Sequence, residues 1–208
     1  MTLPDPPLLL VTDRTQARAP LEDVVAAACA AGCRWVSLRE KDLSADAQVA
    51  LARRLVPTTR RFGARLTLHG DPALARAAGL AGVHLSADGD AATARAALGP
   101  NALVGISIHG PAEAAALDPA VVDYAIAGPA FLTASKPGYG PALGPEGLAA
   151  IRRGTAVPIV AIGGIEPHNA ADVIRAGVAG IAVMGSVMRA ADPGKTIADL
   201  LVALGRRP

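Results

Sequence analysis

The chain is poor in aromatic residues, with one Trp, two Tyr and two Phe among 208 residues. A ligand gripped by an aromatic cage is therefore not expected. The core must be filled by Ala, Val, Leu and Ile, which dominate the 51% hydrophobic content. Charge of one sign is equally scarce. A formal net charge of +2 is too small to argue for a nucleic-acid partner, and the arginines are scattered along helical stretches as on a solvated face. No apolar run reaches the roughly 18 residues that a membrane helix needs, so no membrane partner is expected. The start, MTLPDPPLLLVTDR, has no basic segment, and its apolar run is too short for a signal peptide, which predicts a cytoplasmic protein. Cysteine is limited to Cys29 and Cys33. In that compartment they read as small buried hydrophobes, not as a disulfide or a metal site. No Pro/Ser-rich linker divides the chain, which predicts one domain over residues 1–208.

What is present is a regular alternation. Short apolar runs read as strands at Leu8–Thr12, Arg34–Leu38, Arg65–Leu68, Gly82–Leu85, Ala102–Ile106, Val121–Ile126, Pro158–Ile162 and Gly180–Val183. Each is followed by a helical pattern or turn, with a longer connection at 127–144 before the helix that opens at Pro145. Runs apolar on both faces imply a parallel, fully buried sheet. Eight such units in a chain of this length predict a (βα)8 barrel. An open doubly wound sheet is the alternative, but no G-x-G-x-x-G follows the first strand.

The stretch 158–186, PIVAIGGIEPHNAADVIRAGVAGIAVMGS, reads as strand, glycine turn, helix, strand, glycine turn. Glycines at strand ends let backbone N–H groups approach a ligand closely. Two such turns in adjacent units, each near a helix N-terminus, predict an anion site for phosphate, where barrels of this kind bind it. Gly163, Gly164, Gly185 and Ser186 are the residues concerned.

In a barrel the reactive groups sit at the C-terminal strand ends. The first strand ends in Thr12 and Asp13. The second carries Ser37, Arg39 and Lys41 at spacing two, on one side of an extended segment, which suits a second anion such as a diphosphate. His69 ends the third strand, and Ser107 and His109 follow the fifth. The long sixth connection carries Thr133, Ser135 and Lys136. His69, His84 and His109 raise the question of zinc, but His84 lies inside a strand and no His-x-His pair is present, so no metal site is expected.

The motifs LLLVTDR, WVSLREKDLS, GVHLSADG, GISIHG, DYAIAGPAFLTASKPGYGPALG, VPIVAIGGI and GIAVMGS resemble, in that order, the thiamine phosphate synthase family and its thiazole tautomerase (TenI-type) branch. The resemblance spans nearly the whole chain and implies a (βα)8 barrel. It implies that Thr133, Ser135, Gly163, Gly164, Met184, Gly185 and Ser186 bind a thiazole phosphate. It further implies that Ser37, Arg39, Lys41, Ser107 and Lys136 correspond to the site for a pyrimidine diphosphate. The departures matter too. Ser37 stands where the synthase pattern has Gln, and His69-Gly70 where it has Asn-Asp. Gly70 and Gly89 fall at the two magnesium-binding aspartates, with Asp71, Asp88 and Asp90 each one place away. The loop ASKPGYGPALG is closer to the tautomerase branch, in at least one member of which a histidine acid/base falls at the position of Pro129 here.

The expected function is therefore aromatisation of a thiazole carboxylate phosphate, with His69 as the proton shuttle and His109 assisting, and with no metal or cofactor. Thiamine-phosphate synthase with displaced magnesium ligands is one alternative, and a non-catalytic phosphometabolite-binding barrel another. The expected partner is a small phosphorylated thiazole. The sequence does not fix whether the chain forms a homo-oligomer.

Overall fold

The structure, a computed structural model, describes residues 2–133 and 141–206. Eight parallel strands close in sequential order into a barrel. They are β1 (Leu8–Val11), β2 (Trp35–Leu38), β3 (Arg65–His69), β4 (Gly82–Leu85), β5 (Leu103–Ile108), β6 (Tyr124–Ala127), β7 (Ile159–Ile162) and β8 (Gly180–Val183). The connecting helices are α1 (Leu21–Ala30), α2 (Ala45–Arg61), α3 (Pro72–Ala77), α4 (Ala91–Leu98), α5 (Pro111–Ala115), α6 (Gly144–Arg153), α7 (Ala170–Arg175), α8 (Gly185–Met188) and α9 (Pro193–Ala203). The expected barrel is thus what forms, with strand ends shifted by no more than three residues. The largest shift moves the start of β6 from Val121 to Tyr124, and β5 runs on to Ile108, which brings Ser107 inside the strand. Helix α7 starts at Ala170 and not at Pro167, because the Asn169 side chain accepts from the Glu166 amide and donates to the Gly164 carbonyl.

Strand residues alternate between two layers. Leu8, Leu10, Val36, Leu38 and their counterparts face the helices. Leu9, Val11, Trp35, Leu103, Tyr124, Ile126, Val160 and Ala182 fill the barrel interior. Two of the five aromatics close this interior, Trp35 and Tyr124, packed edge to face at 4.6 Å. Gly105 makes room for them, since a Cβ there would stand 2.1 Å from the Tyr124 ring.

Below the barrel, Asp123 accepts from Arg95 Nη2 at 2.5 Å and from the Val104 amide at 2.8 Å, tying α4 to β5 and β6. At the opposite end, Glu40 is buried and accepts from Thr12 Oγ1 at 2.7 Å and the Arg14 amide at 3.1 Å, joining β1 to β2. Cys29 and Cys33 are free and buried. Burial pushes their thiols up to about 12 and about 11, so both are inert hydrophobes in this fold. Among the described residues, no helix is long and apolar enough to cross a membrane.

Candidate active site

A cavity of about 320 Å³ opens at the C-terminal ends of the strands. One side is built by the β7 and β8 turns, with Gly163, Gly164, Met184, Gly185 and Ser186 all in its wall. Gly164 has φ +63, and a Cβ there would stand 2.6 Å from the Leu132 carbonyl oxygen. The residue must therefore be glycine for conformation and for space. The β6 loop is laid over this turn by backbone bonds from the Ala130 amide to Ile162 O (2.7 Å) and from the Phe131 amide to Gly163 O (2.9 Å). On the other turn, the amides of Val187 and Met188 donate to Met184 O at 3.1 and 2.8 Å. The amides of Gly185 and Ser186 precede them in the first turn of α8, where a helix has no intrahelical acceptor to offer. The arrangement can therefore present backbone donors to an anion.

The opposite wall holds the imidazoles. His69 and His84 pack with ring centroids 4.8 Å apart, and His84 lies 5.5 Å from the Tyr124 ring. His84 Nε2 is 2.9 Å from Ser107 Oγ. His109 lies nearer the rim, with Nδ1 3.5 Å from Glu113 Oε2. Arg39, Thr133 and Asp13 complete the residues foreseen for this face. Burial pushes the Asp13 carboxyl up, but hydrogen bonds from Thr15 and Gln16 and the nearby Arg39 charge outweigh it and hold it below the ordinary carboxylate range.

Two of the expected residues stand outside the cavity wall. Lys41 is exposed and does not line the cavity. The spacing argument needed an extended backbone, whereas β2 ends at Leu38 and the chain turns, with the Leu43 amide donating to Glu40 O. Ser37 is buried in β2, inside the barrel and outside the cavity wall. Ser135 and Lys136 lie outside the described residues. His84, by contrast, was expected to be a plain strand residue and is part of the site. Its parity with Gly82 turns it inward at the strand end, and that parity was the signal available in the sequence.

Burial, with His69 as a lesser contributor, pushes His84 well below the ordinary histidine range. It stays neutral in the fold, while in the unfolded chain it protonates below about pH 6.5. The unfolded state then binds the extra proton, so this contribution to stability is full above pH 6.5 and is lost as pH falls below it. We expect the unfolding free energy to fall by up to about 1.4 kcal/mol per pH unit below 6.5 from this residue alone. Urea melts at pH 7 and pH 5 should show a smaller loss in His84→Gln than in the wild type. Equal losses would contradict the assignment.

The positions implied for magnesium ligands, Gly70 and Gly89, carry no side chain. Gly70 has φ +141, which side-chain-bearing residues rarely adopt, and a Cβ at Gly89 would stand 2.7 Å from Leu85 Cβ. Neither backbone accommodates an aspartate as it stands. The neighbouring acids are used elsewhere. Asp71 caps α3 through the Ala73 amide at 2.7 Å, and Asp90 caps α4 through the Thr93 amide at 2.9 Å. Asp88 is held low by a hydrogen bond from Ser86. None of the three lines the cavity. No group of three or more His, Cys, Asp or Glu side chains converges on a metal position among the described residues. The residues described do not fit a magnesium diphosphate group.

A sequential parallel barrel with glycine turns after β7 and β8 defines a (βα)8 barrel, a class in which phosphate is frequently bound at those turns. Comparison with known proteins narrows this class. The family model described as thiamine monophosphate synthase matches residues 8–187, and the chain belongs to that family, which works in thiamine biosynthesis. A Geobacter sulfurreducens protein named, provisionally, as a thiamine-phosphate synthase is 42% identical over 96% of this chain and 95% of its own length. The thiamine-phosphate synthase of Roseiflexus sp. (strain RS-1) is 39% identical over 88% of this chain and 79% of its own length. Among solved structures, the thiamine phosphate pyrophosphorylase of Pyrococcus furiosus is similar with a TM-score of 0.85 and 30% identity, covering 95% of both chains.

Proposed function

We propose that this family member aromatises a thiazole carboxylate phosphate by proton transfer. The observation that carries the reading is the composition of the cavity. The glycine turns face His69, His84 and Ser107 across one space, while Asp71, Asp88 and Asp90 are spent on helix caps and loop bonds away from it. In this reading the phosphate sits on the amides of Gly185 and Ser186 and against the Gly164 turn, which brings the ring to the imidazoles. A base takes the proton from the ring carbon that bears the carboxylate. The ring double bonds shift, and an acid returns a proton to the exocyclic carbon, so no proton is gained or lost overall. His69 is the shuttle, because it ends β3 at the cavity wall and its imidazole can both take and return a proton. His84, held neutral, fixes the Ser107 hydroxyl through their 2.9 Å bond. His109 assists from the rim.

The synthase names of the relatives favour a second reading, in which the cavity joins a pyrimidine diphosphate to the thiazole phosphate. The two are separated by metal dependence, since ionisation of a diphosphate needs a cation to carry the leaving charge. Under our reading, excess EDTA leaves both the rate of thiazole aromatisation and the melting temperature unchanged. Magnesium-dependent formation of thiamine phosphate at a useful rate would replace it with the synthase.

A further inference from the structure

We propose that Arg189 is the cationic wall of the phosphate cradle and sets its preference for phosphorylated over unphosphorylated ligands. The proposal rests on the reading of the β7 and β8 turns as that cradle. The two turns offer neutral donors only, backbone amides and the Ser186 hydroxyl, and α8 is too short for its aligned peptide dipoles to supply much charge. A phosphate monoester dianion calls for a charge-assisted partner as well.

Arg189 is placed to be that partner. It follows Gly185 by four residues, and its amide donates to the Gly185 carbonyl at 3.1 Å. Helical side chains lean toward the N-terminus, over the preceding turn. The guanidinium accordingly lies against the Cα of Gly185. A Cβ at that position would stand 2.4, 2.5 and 2.7 Å from Nη1, Nη2 and Cζ. The missing side chain at 185 is what admits the guanidinium to the wall that also contains Gly164, Thr133 and Ser186. A tether holds it there. Nη1 donates to Gln16 Oε1, and Gln16 Nε2 donates to Asp13 Oδ2 at 2.5 Å. A guanidinium's planar fork of five donors can hold Gln16 and also reach a phosphate oxygen.

The test is calorimetric titration with hydroxyethylthiazole phosphate, the corresponding alcohol and inorganic phosphate, at low and high salt. R189Q should weaken both phosphate ligands by about tenfold or more, the scale of one charge-assisted hydrogen bond, and leave the alcohol within about twofold. R189K should recover part of the loss. G185A, whose methyl pushes only the flexible end of Arg189 away, should weaken phosphate binding in the same direction while circular dichroism shows an unchanged fold. Wild-type phosphate affinity in R189Q, an equal loss for the alcohol, or a wild type that binds no phosphate probe would overturn the proposal. A wild type that binds inorganic phosphate through Arg189 but shows no gain from the thiazole would support the role of Arg189 and overturn the thiazole reading instead.

Discussion

Replacing His69 by Asn is expected to lower the rate of thiazole aromatisation by about 100-fold or more, the scale of a positioned general acid/base, with little change in substrate affinity. His69 ends β3, where barrel geometry delivers side chains to the reaction face, and it borders the cavity opposite the glycine turns. Asn keeps a polar side chain that approximates one ring nitrogen, but it does not titrate. A loss confined to the catalytic step therefore isolates proton transfer from packing against His84, whose ring lies 4.8 Å away. His109→Asn should cost less, because His109 stands further out beside Glu113. Single-turnover kinetics on both variants, after circular dichroism, provide the check. A His69→Asn enzyme with near-wild-type turnover would remove His69 from the mechanism, and Ser107 with His84 would become the first pair to examine.

Gly164→Ala is expected to be the most damaging single methyl in the site. The backbone at φ +63 costs a side-chain-bearing residue about 1–2 kcal/mol. The methyl also meets the Leu132 carbonyl oxygen at 2.6 Å and Phe131 Cβ at 2.8 Å. Those neighbours are held by the backbone bonds that fasten the β6 loop to the β7 turn, so relieving the overlap means moving that loop, at roughly 1–3 kcal/mol. Together the change should lower stability by about 2–5 kcal/mol and abolish detectable binding of hydroxyethylthiazole phosphate. Urea unfolding and calorimetry read the two effects separately. A variant with wild-type stability and affinity would show that the Gly164 turn is not part of the cradle.

The barrel was legible because its strands are apolar on both faces and its turns are marked by glycine, proline and helix-capping side chains such as Ser44, whose hydroxyl accepts from the Ala47 amide. Strand ends were less so. Ser107 belongs to β5 because the ladder with β6 continues to Ile108 and Ala127, a pairing that no local pattern records. The site divided in the same way. Strand ends and glycine turns pointed to His69, Ser107, His109, Gly164 and Gly185. Period-two alternation does not reach Lys41, because β2 stops at Leu38. Nothing local in the sequence marks Glu40 as buried, yet it lies under Thr12 and Arg14, contacts separated from it by 28 and 26 residues. Arg189 left no signal at all. Its position depends on a four-residue helix folding its side chain back onto a glycine, and on Gln16, 173 residues away in sequence.

The central claim is that this cavity moves a proton on a phosphorylated thiazole and does not expel diphosphate. The most direct measurement compares kcat/KM of one purified preparation for the two substrate sets, each with and without magnesium. Our account predicts turnover of the thiazole carboxylate phosphate at the same rate in both conditions, with no thiamine phosphate formed above the uncatalysed background. Thiamine phosphate formation that requires magnesium, with no aromatisation of the thiazole, would contradict it.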